Sequence, residues 1–312
     1  MSNTTTRNIT VVKKQRMKRD KVIFLITAMT LPLIQFFIMY VMVNFNSITL
    51  SFKKYITNDD SGAFIFCGFA NFVQVIKDFG TQANMQYLIR NSFTMYLVTS
   101  PLILISCMFL AYTVWKKVLF SKFFSVMLFL PSILPSLVFV IIGKFTFQNL
   151  FPAITGIPEH GEILNPPQGF TTLLWYQFFI SFGPNTIYFL GAMSNISPSV
   201  VEAGKLDGAN TFREFIHIVF PSIFPTISTF VITGVAGIFI NQANLYNFFG
   251  GGAHASSYTI GYYLFVQVIG TGGGGLTMYP YAAAGGLILT LIAAPTTLTV
   301  KYLLEKFGPS ED

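Results

Sequence analysis

Charge is scarce in this 312-residue chain. Asp, Glu, Lys and Arg make up only 10% of it, and 53% is hydrophobic. Soluble domains carry about a quarter charged residues, so an ordinary soluble protein is excluded and a polytopic membrane protein is implied. Cysteine is nearly absent. Cys67 falls outside the apolar runs, Cys107 inside one, and no C-x-x-C spacing occurs. Neither a disulfide nor a thiolate metal site is expected. His160, His217 and His254 are scattered and form no metal constellation. No G-x-x-x-x-G-K-[ST] phosphate loop, nucleophile elbow or zinc-protease pattern is present. The chain is therefore expected to have no catalytic residues, no metal and no ATP site of its own. Gly270 to Gly275 matches G-x-G-x-x-G literally, but it stands between apolar spans without a βαβ unit, which argues against dinucleotide binding.

What is abundant is apolar sequence of bilayer-crossing length. Six segments stand out, at about 22–45, 92–114, 121–143, 171–193, 220–243 and 280–300. Beyond Lys122 at the head of the third, none contains Asp, Glu, Lys or Arg, and no such residue occurs from Phe215 to Val300. Proton-driven carriers generally need ionisable groups at membrane depth, so this absence argues against that mechanism. Sodium coupling through carbonyls and hydroxyls stays open. Pro131, Pro135 and Pro184 fall in the third and fourth segments, where they predict kinks.

The net charge of +7 does not point to nucleic acid, because of where the basic residues lie. Seven precede the first segment: Arg7, Lys13, Lys14, Arg16, Lys18, Arg19 and Lys21. With the N-terminus inside, the inner loops hold 14 Lys and Arg residues and the outer loops five, namely Lys53, Lys54, Lys77, Arg90 and Lys144. That asymmetry predicts both termini in the cytoplasm. The polar, Thr-rich first 20 residues are expected to be disordered. The outer segments at about 46–91, 144–170 and 244–279 are long enough to fold locally or to touch another protein.

Between the fourth and fifth apolar segments lies a charged, helix-friendly stretch. Ser197 followed by Pro198 suits a helix start. Gly208 suits a break with positive φ, and Thr211 with Glu214 has capping-box spacing for a second short helix. Phe212, Phe215, Ile216 and Val219 then give that helix an apolar face. By residue chemistry alone this is either a partner-binding element or an amphipathic loop on the lipid headgroups.

The residue order resembles the signature loop of permease subunits in binding-protein-dependent ATP-binding-cassette importers. The family pattern is Glu-Ala-Ala, a Gly six residues after the Glu, and Ile-x-Leu-Pro starting ten residues after that Gly. Here Glu202, Ala203 and Gly204 are followed by Gly208 and by Ile218-Val219-Phe220-Pro221. Gly204 and Phe220 depart from the pattern. Shorter pieces resemble the carbohydrate branch, near the maltose and glycerol-phosphate type permeases. They are Leu31-Pro32, the Ser47–Tyr55 stretch, Gly68–Phe72, Phe123-Phe124, Leu128–Pro131 and the run from Leu245 to Gly252.

The resemblance implies an all-α permease fold of the type I importer class, with six transmembrane helices, in a bacterial or archaeal cell membrane. It implies a second permease subunit, as a heterodimer, and two ATPase subunits that bind the ATP and Mg. It also implies an external solute-binding protein and a sugar or oligosaccharide as substrate. Glu202, Ala203, Gly204, Asp207, Gly208, Phe215 and Pro221 would form the loop that seats in the ATPase. Other solutes (a peptide, an amino acid or a phosphate compound) remain open, as does a secondary carrier or scaffold. The expected organisation is a basic cytoplasmic tail at 1–21, a first helix with its external loop at 22–90, a transporter core at 91–308 with the coupling loop at about 195–220, and a tail at 309–312. Tyr176, Gln177, Asn185 and Tyr188, and Asn241, Gln242, Asn244 and Tyr246, are polar or aromatic at membrane depth. Amide and hydroxyl groups exchange hydrogen bonds with sugar hydroxyls, so Tyr188, Gln242, Asn244 and Tyr246 are the candidate pathway residues.

Overall fold

A computed structural model describes residues 19–58, 61–81, 83–118, 120–156, 169–269 and 275–309. The basic tail through Lys18, His160, the glycines at 270–274 and residues 310–312 lie outside the described residues. The fold is helical apart from one hairpin. In chain order the elements are α1 (Arg19–Phe36), α2 (Val43–Ser51), β1 (Lys53–Asn58), β2 (Ser61–Phe66), α3 (Ala70–Thr81), α4 (Ala83–Trp115), α5 (Ser121–Ile133), α6 (Ser136–Phe145) and α7 (Phe151–Thr155). They continue as α8 (Gly169–Ser194), α9 (Pro198–Leu206), α10 (Thr211–Glu214), α11 (Phe220–Ser222), α12 (Phe224–Gly237), α13 (Leu245–Phe249), α14 (Ile260–Ile269) and α15 (Gly275–Phe307).

The chain divides between Thr49 and Leu50 into two compact units. In the first, α1 continues through a π-helical stretch, Phe37–Met42, into α2. Phe24, Leu31, Met39 and Phe45 are all exposed on it. A helix apolar on every side belongs in lipid or against another protein.

In the second unit, the predicted outer segment 46–91 does fold locally. Strands β1 and β2 pair antiparallel, with Lys53 opposite Phe66. The Asn71 amide donates to the Ser51 and Lys53 carbonyls at 2.8 and 2.7 Å and ties the hairpin to α3. Helix α3 then packs on α15 through Val75, Tyr281 and Ala284.

Helices α4 and α8 form the central pair and run the same way. Met95 packs with Leu173 and Tyr176. Further along, Cys107 packs with Phe189 and Met193, and its thiol donates to the Phe182 carbonyl at 3.3 Å. Helix α12 runs opposite to α4: Ile227 shares the Cys107 cluster, while Ile238, just past the helix end, reaches Met85 and Leu88. Both cysteines are free thiols.

Two expected spans are broken. The third, 121–143, is interrupted after Ile133. Leu134 is extended at φ −80° and ψ 139°, because the ring of Pro135 disfavours helical backbone in the residue before it, and α6 restarts after Pro135. The fifth, 220–243, bends by 65° at Ile223 and ends as a helix at Gly237. Pro221 and Pro225 remove two backbone donors around that bend.

Among the described residues, four helices are long and apolar enough to cross a membrane: Lys21–Ser51, Met85–Trp115, Ser136–Ile154 and Gly275–Phe307. The bent pair Thr211–Ser222 and Phe224–Gly237 makes a fifth if taken as one span. Helix α8 has 26 residues, but Gln177, Ser181 and Asn185 dilute its apolar character.

Candidate functional site: the loop between α8 and α12

The expected helix–turn–helix is present. Ser197 is extended and Pro198 occupies the first turn of α9, although the Ser197 hydroxyl pairs with Ser199 at 2.8 Å instead of capping the helix. The other end of α9 closes by a Schellman arrangement. The Gly208 N–H reaches the Lys205 carbonyl at 3.1 Å, and the Ala209 N–H reaches the Gly204 carbonyl at 2.9 Å. Gly208 has φ +79°, the left-handed conformation its position demanded.

The second helix starts one residue earlier than the capping-box spacing predicted. Asn210 is its N-cap, and the Asn210 side-chain oxygen accepts from the Arg213 N–H at 2.9 Å. Glu214 is thereby released from capping. Its side chain turns inward and is 3% exposed. The Lys116 ammonium, one residue past α4, lies 2.5 Å from Glu214 Oε1. The Tyr112 hydroxyl stands 3.2 Å from the same oxygen and 3.1 Å from the Thr211 carbonyl.

Glu202, Ala203, Asp207 and Gly208 are exposed. Leu206 and Phe212, in the same loop, are 89% and 69% exposed. Sequence reasoning missed this apolar pair. Leu206 follows Glu202 by four residues, a spacing that puts both on one helix face. The spacing gives Phe212 a place on one apolar face with Phe215, Ile216 and Val219. Of these only Val219 is fully buried, and Phe215 stacks edge-on against Tyr112 at 5.0 Å. Gly204 faces inward, where a Cβ would fall 2.3 Å from Ile218 Cδ1. The departure from Glu-Ala-Ala at this residue therefore makes room for Ile218. Pro221 is half-buried in α11.

The four candidate pathway residues are only partly brought together. Asn244, left-handed at φ 57°, donates to Gln177 Oε1 on α8 at 3.2 Å, and Asn247 donates back to Asn244 Oδ1 at 3.3 Å. Tyr246 lies in the same turn, edge-on to Phe265 at 5.0 Å. The Gln242 carbonyl accepts the Leu245 N–H at 2.9 Å. Tyr188 is eleven residues beyond Gln177, on the same face of α8 but about 16 Å along the axis, and it is 48% exposed. Nearby, the Tyr176 hydroxyl is buried without a hydrogen-bond partner, while Asn185 bonds within its own helix to the Ser181 carbonyl. Among the described residues no three His, Cys, Asp or Glu side chains gather as a metal site requires.

Residues 103–309 match the binding-protein-dependent transport system inner membrane component family, and the chain belongs to it. The sn-glycerol-3-phosphate transport system permease protein of Yersinia pestis is 26% identical over 254 residues, 77% of this chain and 81% of that one. The lactose transport system permease protein of Rhizobium radiobacter is 25% identical over 216 residues, 66% and 71% of the two chains. A chain in the crystal structure of a bacterial ABC transporter that imports the acidic polysaccharide alginate superposes with TM-score 0.71, covering 92% of this chain and 97% of that one at 19% identity. Another, from the alginate transporter bound to its pentasaccharide-loaded periplasmic protein, gives 0.72 over 92% and 96% at 20% identity. The fold is thus that of importer permeases, and the chain is a multi-pass membrane protein.

Proposed function

We propose that this chain is one permease subunit of an ATP-driven importer for a sugar or oligosaccharide. The observation that carries the reading is the exposed face of α9 and α10. It exposes two carboxylates, Glu202 and Asp207, and two apolar side chains, Leu206 and Phe212, on either side of a turn held by Gly208. Apolar anchors beside a charge suit a protein partner better than lipid headgroups. That partner is one of two separate ATPase subunits, which bind the ATP and Mg. A second permease completes the pathway, and an external solute-binding protein delivers the substrate. Relatives whose names specify lactose and arabinooligosaccharide transport support the sugar class.

The membrane arrangement in this reading has six crossings, with α8 as the fourth. At 26 residues it is about 39 Å long, more than the roughly 30 Å of hydrocarbon. Its polar residues face the pathway, which explains its weaker apolar character. Helices α4 and α8 point the same way, so the chain between them crosses once, and residues 121–154 supply that crossing. Lys116, Lys205, Arg213 and Lys301 all fall at one end of the α4–α8–α12–α15 bundle, which we take as cytoplasmic. The organisation into a tail at 1–21, a first helix and loop at 22–90, and a core at 91–308 follows from the same reading.

The test is co-purification of the ATPase with wild-type permease and with Glu202→Lys. Charge reversal in a partly desolvated contact is expected to weaken docking without affecting insertion. ATPase binding that is unchanged in Glu202→Lys and in Leu206→Ser with Phe212→Ser would return the loop to the lipid-surface reading. Uptake of a phosphate ester, peptide or amino acid in place of any sugar would move the substrate class.

A further inference from the structure

We propose that Lys116 and Glu214 form a latch that fixes the coupling loop to α4, so that movement imposed on the loop is carried into α4 rather than directly into α12. This rests on the reading that an ATPase drives the loop. Three observations lead to it. The first is the pair itself. A carboxylate 3% exposed, within 2.5 Å of an ammonium from another element, is stable only while both partners stay together. Lys116 follows the last residue of a 33-residue helix, where the helix dipole favours a cation. Its ammonium also lies 5.8 and 5.5 Å from the rings of Tyr112 and Trp115, which hold it in place.

The second observation is how α10 meets α4. Apolar packing is incomplete there: a cleft of about 580 Å³ opens beside Met108 and Phe109 on α4 and Phe212 on α10. Close apolar contact begins past α10, with Phe215 against the Tyr112 ring and then with Val219 and Ile223. The short helix α10 is therefore attached by polar contacts, namely Lys116 and Tyr112 to Glu214 and Tyr112 to the Thr211 carbonyl.

The third observation is the weakness of the direct route. After α10 the chain passes through a π-helical stretch, Phe215–Val219, and then the 65° bend at Ile223. A bend between two prolines transmits rotation poorly and serves as a hinge. The loop therefore has a firm attachment to α4 and a compliant one to α12.

Spin labels on the assembled transporter test this. Ser199, Gln86 and Thr233 are exposed sites on α9, the outer end of α4 and α12. With the latch closed, the Ser199–Gln86 distance is expected to be narrow and unchanged by ATP with vanadate, while the Ser199–Thr233 distance shifts. Lys116→Gln and Glu214→Gln are expected to broaden the Ser199–Gln86 distribution and raise the detached population about tenfold, within the usual range of coupling between sites. The exchanged pair, Lys116→Glu with Glu214→Lys, narrows it again. Should the single variants not fold, Tyr112→Phe tests the same attachment by removing one hydrogen bond, and partial broadening is expected. A distribution that stays narrow in all of these variants overturns the latch. So does a wild-type Ser199–Gln86 distance that moves with nucleotide as much as Ser199–Thr233. Loss of the ATPase from wild-type preparations would instead refute the transport reading, and the nucleotide-free distances would still decide the latch.

Discussion

At the scale of single residues, two positions in the loop carry unlike constraints. Gly208 is constrained by backbone: at φ +79° a β-branched side chain costs about 1–2 kcal/mol. Gly208→Val is therefore expected to insert normally but to retain less ATPase on co-purification. Gly208→Asn should be milder, because Asn tolerates the left-handed region. Glu214 is constrained by burial. Removing one partner of a buried ion pair costs about 3–5 kcal/mol, and the lower end applies here because the Lys116 side chain is 24% exposed. Lys116→Met should lower the thermal midpoint of the purified permease clearly more than Lys205→Met, whose lysine is exposed. Equal midpoints would mean that water, not Lys116, satisfies the carboxylate.

At the scale of elements, what could be read from the sequence depended on how local its cause was. The start of α9 at Pro198 and the turn at Gly208 were legible, because each follows from a residue's own conformational preference. The cap of α10 was not. Asn210 and Thr211 are both good N-caps, and in the fold Asn210 caps while Glu214, outside any capping box, pairs with Lys116, nearly a hundred positions away. The break at Leu134-Pro135 was foreseen as a kink, yet its size depended on the loss of helical backbone at Leu134. In the pathway turn, three of four expected residues cluster and Gln177 joins them, whereas Tyr188 stands apart because helical periodicity repeats a face without fixing depth. Alanine at Asn244 or Gln177 removes one hydrogen bond, worth about 0.5–1.5 kcal/mol. If that bond holds the solute-facing geometry, apparent affinity for a transported sugar falls about two- to twelvefold in uptake assays. Unchanged kinetics in both variants would place the solute contacts elsewhere in this chain or on a second permease.

At the scale of the whole molecule, helix direction and charge agree. The C-terminal ends of α4, α8 and α15 and the start of α12 gather at the end that carries Lys116, Lys205, Arg213 and Lys301. Cysteines placed at Ser199 and Ser256, in a background without Cys67 and Cys107, should react oppositely with an impermeant thiol reagent. Ser256→Cys is expected to label from outside intact cells and Ser199→Cys only after permeabilisation, and the reverse pattern would invert the orientation. The absence of Asp, Glu, Lys and Arg from Phe215 to Val300 has an electrical meaning. Moving one elementary charge through the membrane field costs about 2.3 kcal/mol per 100 mV. The stretch from Phe215 to Val300 therefore gives that field no formal charge to act on. A dependence of uptake on a potassium–valinomycin potential would then report charge on the cargo or elsewhere in the transporter.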